Sequence, residues 1–199
     1  MSNQRIIALT MRNNQLSGQE HFDDIKFMIK NHPSLTVIDF SNTETNMSKN
    51  KLKNQGVQAI VEGILESQDH SMIQEINLGY NYLTVDCLPV LARLSNPEFV
   101  QIHTLNLSFN ELGPEVFLHL APIMGTVINL NLANTKLGNQ SMADLNEIFR
   151  TTDMSLKTLD LHSNLITSEG FNHLGRCLKS NNKVQHLNLS KNNIANDIN

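Results

Sequence analysis

Apolar residues recur along the chain in one fixed order: apolar, two positions, apolar, one position, apolar, two positions, Asn or Thr, one position, apolar. Ile6, Leu9, Met11, Asn14 and Leu16 form the first copy. Ile73, Ile76, Leu78, Asn81 and Leu83 repeat it, as do Ile102, Leu105, Leu107, Asn110 and Leu112. Val127, Leu130, Leu132, Thr135 and Leu137 follow, then Leu156, Leu159, Leu161, Asn164 and Ile166, then Val184, Leu187, Leu189, Asn192 and Ile194. The second copy is the weakest: Leu35, Ile38 and Phe40 lead to Thr43, with Thr45 where the last apolar residue belongs. Starts at Ile6, Leu35, Ile73, Ile102, Val127, Leu156 and Val184 are 29, 38, 29, 25, 29 and 28 residues apart.

Within a copy, Leu105 and Leu107 alternate with His103, Asn106 and Ser108, a period of two that predicts a half-buried strand. Between copies the spacing changes to three and four. Gly56, Val57, Ile60, Val61, Ile64 and Leu65 share one helical face, as do Met142, Leu145, Ile148 and Phe149, and Glu169, Phe171, Leu174, Cys177 and Leu178. A strand and a helix in fewer than about 30 residues hide their apolar side only by stacking on copies of themselves.

This pattern resembles the leucine-rich repeat, and the spacing near 28 residues with a helix in each copy resembles its ribonuclease-inhibitor-like subclass. The resemblance implies an α/β fold: a leucine-rich repeat solenoid of about seven repeats, a right-handed superhelix with a concave parallel sheet and convex helices. Residues 1–199 are then a single domain, either whole or part of a longer chain. For the recurring Asn, two roles are open: a ligand-binding amide, or a buried ladder that satisfies loop backbone groups. The ladder is favoured, with Thr43 and Thr135 supplying a hydroxyl at the same site. The resemblance also implies an interaction module, since the subclass includes inhibitors, GTPase activators, actin-capping proteins and immune sensors. The Asn-rich, degenerate repeats are also similar to leucine-rich repeat effectors that intracellular bacteria deliver into host cells.

The regularity breaks in three places. The long interval carries a polar surplus over residues 44–55, with lysines at 49, 51 and 53, read as a solvated loop or as a basic contact loop. The short interval holds Pro114 and Pro122, which predict a short helix there. At the termini, nothing ahead of Ile6 supplies a polar cap and Asn199 ends the chain before a seventh helix, so an improvised cap or a longer chain is expected.

Composition narrows the function. The chain is 40% hydrophobic and 17% charged, with a net charge of −4, which excludes a disordered chain and a basic nucleic-acid footprint. No apolar run approaches the ~20 residues of a membrane span, and Ile6–Leu9 is too short for a secretory signal. Cys87 and Cys177 read as buried reduced thiols, in keeping with a cytoplasmic monomer, or with a host cytosol for a delivered effector. No phosphate-binding loop, dinucleotide fingerprint or zinc spacing is present, so neither a cofactor nor a metal is expected. Asp160 and His162 on one strand with His186 on the next are the best catalytic or metal-binding candidates, outweighed by ordinary polar residues on a wet sheet.

What remains is the solvent side of the sheet. By register, one row runs through Asn77, Asn106, Asn131 and Asp160. A second holds Gly79, Ser108, Ala133 and His162, small enough at three positions to let a partner close in. Near the loop edge, Tyr80 and Phe109 fall in adjacent repeats beside Asn134. In a chain with 5% aromatics this pair is a candidate hot spot, surrounded by Glu75, Tyr82, His103 and Glu111. The expected function is binding of a protein partner on this face without catalysis. The alternative is regulation of a partner enzyme, for which Arg12 is the arginine on these rows.

Overall fold

The computed structural model describes residues 6–32, 34–44, 49–67 and 71–195. Seven short strands alternate with helical segments: β1 (Ala8–Thr10), α1 (Gln19–Lys30), β2 (Val37–Asp39), α2 (Lys53–Leu65), β3 (Glu75–Asn77), α3 (Leu88–Ala92), β4 (Thr104–Asn106), α4 (Val116–Leu120), β5 (Asn129–Asn131), α5 (Asn139–Thr151), β6 (Thr158–Asp160), α6 (Ser168–Ser180) and β7 (His186–Asn188). The strands form one parallel sheet in chain order, with Leu9, Ile38, Ile76, Leu105, Leu130, Leu159 and Leu187 in a single column. Leu105, Leu130 and Leu159 are each 1% exposed, so the alternation does place one face in the core. The helices cover that face. The inward residues of β2 to β6 are buried between neighbouring repeats, as the repeat argument requires, while Leu9 of β1 and Leu187 of β7 are only half-buried.

Helix length follows the sequence. Pro122 opens a one-turn 3-10 segment, Ala121–Ile123, that ends the fourth helical region after α4. The third region is equally broken: 3-10 turns at Val85–Cys87 and Arg93–Ser95 flank α3, which was not anticipated. Of the residues assigned to the apolar face of α6, Leu174 and Cys177 are fully buried but Phe171 is 45% exposed. It sits three residues before Leu174, at the rim of the stripe. Burial pushes the thiols of Cys87 and Cys177 up to about 12, which keeps both protonated and unreactive.

The asparagine column is structural. Asn110 is typical: its Oδ1 accepts the N–H groups of Asn81 and Leu83 in the preceding repeat, both at 3.0 Å. Its Nδ2 donates to Leu78, Leu107 and Ser108 carbonyls. Asn164 repeats this, and Thr135 does part of it through a hydroxyl bond to Leu132 O at 2.7 Å.

The second repeat corrects the sequence reading. Thr43 is exposed and does not enter the column; Asn50 does, fully buried. Its Oδ1 accepts from Asn14 and Leu16 N–H, and its Nδ2 donates to Met11 and Phe40 carbonyls. Leu52, fully buried, fills the apolar position assigned to Thr45. Ten residues separate Phe40 from Asn50 where three separate Leu78 from Asn81, so seven are inserted between strand and column. The surplus is therefore not 44–55: its latter part is column and the start of α2. Residues 45–48 lie outside the described residues, as do the termini at 1–5 and 196–199. The insertion is closed at its base, where Asn42 Oδ1 accepts Asn50 N–H at 2.6 Å and Asn42 Nδ2 reaches Asn50 O. That diverts the N–H the ladder would give to Asn81, whose Oδ1 is buried without a partner among the described residues.

Candidate functional site

The solvent face begins with a turn repeated at the end of each strand from β2 to β7. The carboxylate or amide oxygen of Asp39, Asn77, Asn106, Asn131, Asp160 and Asn188 accepts the N–H two residues on, at 2.9–3.3 Å. Short polar side chains suit this turn because they satisfy the N–H that leaves the sheet. Three residues past the row, the chain enters the left-handed region: φ is 54° at Asn13, 59° at Tyr80, 57° at Phe109, 51° at Asn134 and 57° at Ser163. Asn tolerates this conformation, whereas bulky residues adopt it at a cost of about 1 kcal/mol or more. Tyr80 and Phe109 thus occupy positions where Asn is cheaper, and such strain marks candidate functional positions.

Their left-handed backbones aim both rings out at the loop edge. The rings stack with centroids 4.0 Å apart and planes 8° from parallel. Beyond Phe109, His162 meets it edge-on at 5.9 Å. Beyond Tyr80, Lys49 Nζ lies 5.1 Å from the ring centroid, within cation–π range. Asn42 Nδ2 also reaches the Tyr80 carbonyl, so the base of the insertion is fastened to the aromatic pair. Partial burial and then the charge of Glu44 raise the Tyr80 hydroxyl above its ordinary value. Beside the pair is a cleft of about 290 Å³ whose rim includes Lys49, Tyr82 and Glu111. Lys49 is the residue the sequence reading left out of the site; it was counted among the lysines of the surplus, read as a solvated loop or as a basic contact loop.

Below the cleft, the strands enclose a shallow hollow of about 460 Å³ that takes in Glu75, Asn77, Asn106, Asn131 and Asp160. At one end Arg12 Nε donates to Asp39 Oδ2 at 2.6 Å. Burial pushes the Asp39 carboxyl up, but bonds from Arg12 and Ser41 and the guanidinium charge outweigh it and hold the group below its ordinary value. The same contact raises Arg12. At the other end His162 Nδ1 lies 3.2 Å from Asp160 Oδ1. His186 pairs with Thr158 in register. Among the described residues no three His, Cys, Asp or Glu side chains gather as a metal site would require.

Two expected neighbours of the aromatic pair are elsewhere. Glu75 opens β3 and His103 precedes β4, five and six residues before Tyr80 and Phe109 along extended chain. At about 3.3 Å per residue they stand at the opposite end of the strands. Glu75 borders the hollow and not the cleft. Asn134 occupies the next left-handed position after Phe109, as its column predicts.

Comparison with known proteins agrees with this geometry. Leucine-rich repeat family models match residues 155–177 and 180–198. The fold is a leucine-rich repeat solenoid. Over 96% of its length the chain is 24% identical to human NACHT, LRR and PYD domains-containing protein 5. Over 63% it is 28% identical to human NACHT, LRR and PYD domains-containing protein 13. It spans only 18% and 12% of the lengths of those relatives. Leucine-rich repeat domains generally mediate protein–protein interaction. Among the described residues of this leucine-rich repeat chain, no helix is long and apolar enough to cross a membrane.

Proposed function

We propose that the leucine-rich repeat chain binds a partner protein on the solvent face of its sheet, anchored by Tyr80 and Phe109. The observation that carries this reading is the stacked pair itself: two large rings held in strained backbone beside the cleft, in a column where Asn13 and Asn134 fill equivalent positions. Retaining strain at a half-buried surface site outside the core favours a role in recognition over one in stability. The alternative, a regulator that presents an arginine to a partner's phosphate, would have to break the Arg12–Asp39 pair.

Tyr80→Asn with Phe109→Asn tests the proposal, since Asn is native to this turn and the fold should be kept. In affinity capture followed by titration of the recovered partner, the double variant should bind about 100-fold more weakly while melting no lower than wild type. A control on the helical side, Phe27→Ala with Phe171→Ala, should bind as wild type. Equal loss in the control, or full binding by the Asn variant, would overturn the assignment.

A further inference from the structure

The walls of the cleft and the hollow carry four carboxylates, Asp39, Glu75, Glu111 and Asp160, against two cations, Arg12 and Lys49. Both cations are engaged, Arg12 with Asp39 and Lys49 over the Tyr80 ring. Asp160 has His162 Nδ1 at 3.2 Å. Glu75 and Glu111 are exposed, and neither carboxylate has an ion-pair partner among the described residues. The asparagine row itself is neutral. Each amide oxygen of Asn77, Asn106 and Asn131 accepts one N–H and keeps a second acceptor site, while Nδ2 can donate. Such groups suit both the carbonyls and the N–H groups of a main chain, and they select no sign of charge. Selection by charge falls to Glu75 and Glu111.

A second observation is independent of that charge balance. The loop edge already holds a cation of the chain's own, since Lys49 Nζ stands 5.1 Å from the Tyr80 ring centroid. Two residues on, Tyr82 presents another ring, 55% exposed. Glu111 N–H donates to Leu83 O at 2.9 Å, which sets Glu111 beside Tyr82 on the wall of the cleft. An aromatic ring beside a carboxylate attracts a cation in two ways, through the ring quadrupole and through charge-assisted hydrogen bonds. Lys136, one repeat beyond Glu111, is exposed and is not part of the cleft wall.

We infer that the sheet face takes a basic segment of its partner, with one Lys or Arg side chain in the cleft between Tyr82 and Glu111 and a second reaching Glu75 in the hollow. This rests on the proposal that the partner binds this face. Glu75 opens β3 and the cleft lies past the other end of that strand, so an extended segment along β3 meets both. Its main chain then passes over Asn77 and Asn106, whose amides can both donate and accept.

The experiment titrates the nitrogen-15-labelled chain with oligo-arginine, oligo-glutamine and oligo-glutamate peptides while following backbone and side-chain amide signals. Oligo-arginine should move the signals of Tyr82, Asn110 and Glu111, and added salt should weaken it. Glu75→Gln with Glu111→Gln should weaken it by about tenfold, and Tyr82→Asn, which suits the left-handed backbone at that position, should weaken it as well. Glu147→Gln, an exposed acid on α5, should leave it unchanged. If oligo-arginine moves no cleft signal, if oligo-glutamine or oligo-glutamate moves the cleft as strongly, or if Glu147→Gln weakens binding equally, the basic assignment is overturned. Titration of the captured partner separates this from the reading beneath it. Loss by Tyr80→Asn with Phe109→Asn but not by the glutamine pair keeps the binding face and rejects the basic segment; loss by neither rejects both.

Discussion

Asn110→Ala is expected to lower the unfolding free energy by about 3–5 kcal/mol, as read by denaturant melting. The side chain makes five hydrogen bonds to main-chain groups of two repeats: Asn81 N, Leu83 N, Leu78 O, Leu107 O and Ser108 O. It is 3% exposed, so most of those groups lose their partner away from water at about 1–3 kcal/mol each, offset in part by water entering the gap. Asn110 also sits mid-array, where neither neighbour can unfold without breaking the interface between the others. Asn110→Thr should cost roughly half as much, because Thr135 shows that a hydroxyl keeps the bond within the repeat. A loss below about 1 kcal/mol for Asn110→Ala would mean the column does not hold the repeats together.

Asn50→Ala should cost somewhat less, about 3 kcal/mol, and should be felt at the binding edge as well. Four side-chain bonds vanish, to Asn14 N, Leu16 N, Met11 O and Phe40 O, loosening the first two repeats. In a solenoid such damage stays near its end, so melting should split, with the first repeats unfolding before the rest. Lys49, over the Tyr80 ring, adjoins Asn50 in the chain, so a residue 50 no longer anchored by its side chain to Met11 and Phe40 carbonyls should let Lys49 shift. The variant should therefore weaken partner binding in the folded state, while Asn110→Thr should leave it unchanged. A single transition with unaltered binding would contradict the link between insertion and aromatic edge.

How much of this was legible in the sequence depends on what kept its period. Strand register, the buried leucine column, the asparagine ladder and the adjacency of Tyr80 and Phe109 all follow from residues at constant spacing. They came out as read, except that Asn14, at the first step of the ladder, is exposed. The second repeat did not, because its column residue lies ten residues past Phe40 where the other repeats have three. A buried Asn and Leu two apart, Asn50 and Leu52, were the signal available; periodicity alone assigned their sites to Thr43 and Thr45. Lys49 was illegible for the same reason, since nothing in local composition says where an insertion folds back. The grouping of Glu75 and His103 with the aromatic pair failed on distance: they lie across the same repeats but at the other end of the strands. The left-handed backbone at Tyr80 and Phe109 was masked by their identity, as bulky residues are the last expected there.

The claim on which the functional account stands is that the partner contacts the aromatic edge of the sheet and not the helices. Photo-crosslinking of the partner complex reads this directly. Tyr82→p-benzoylphenylalanine places a reactive ketone at the 55% exposed rim of the cleft, and the same substitution at Phe171 places one on the helical side. The account predicts a partner adduct from position 82 and none from position 171; an adduct from 171 with none from 82 would contradict it.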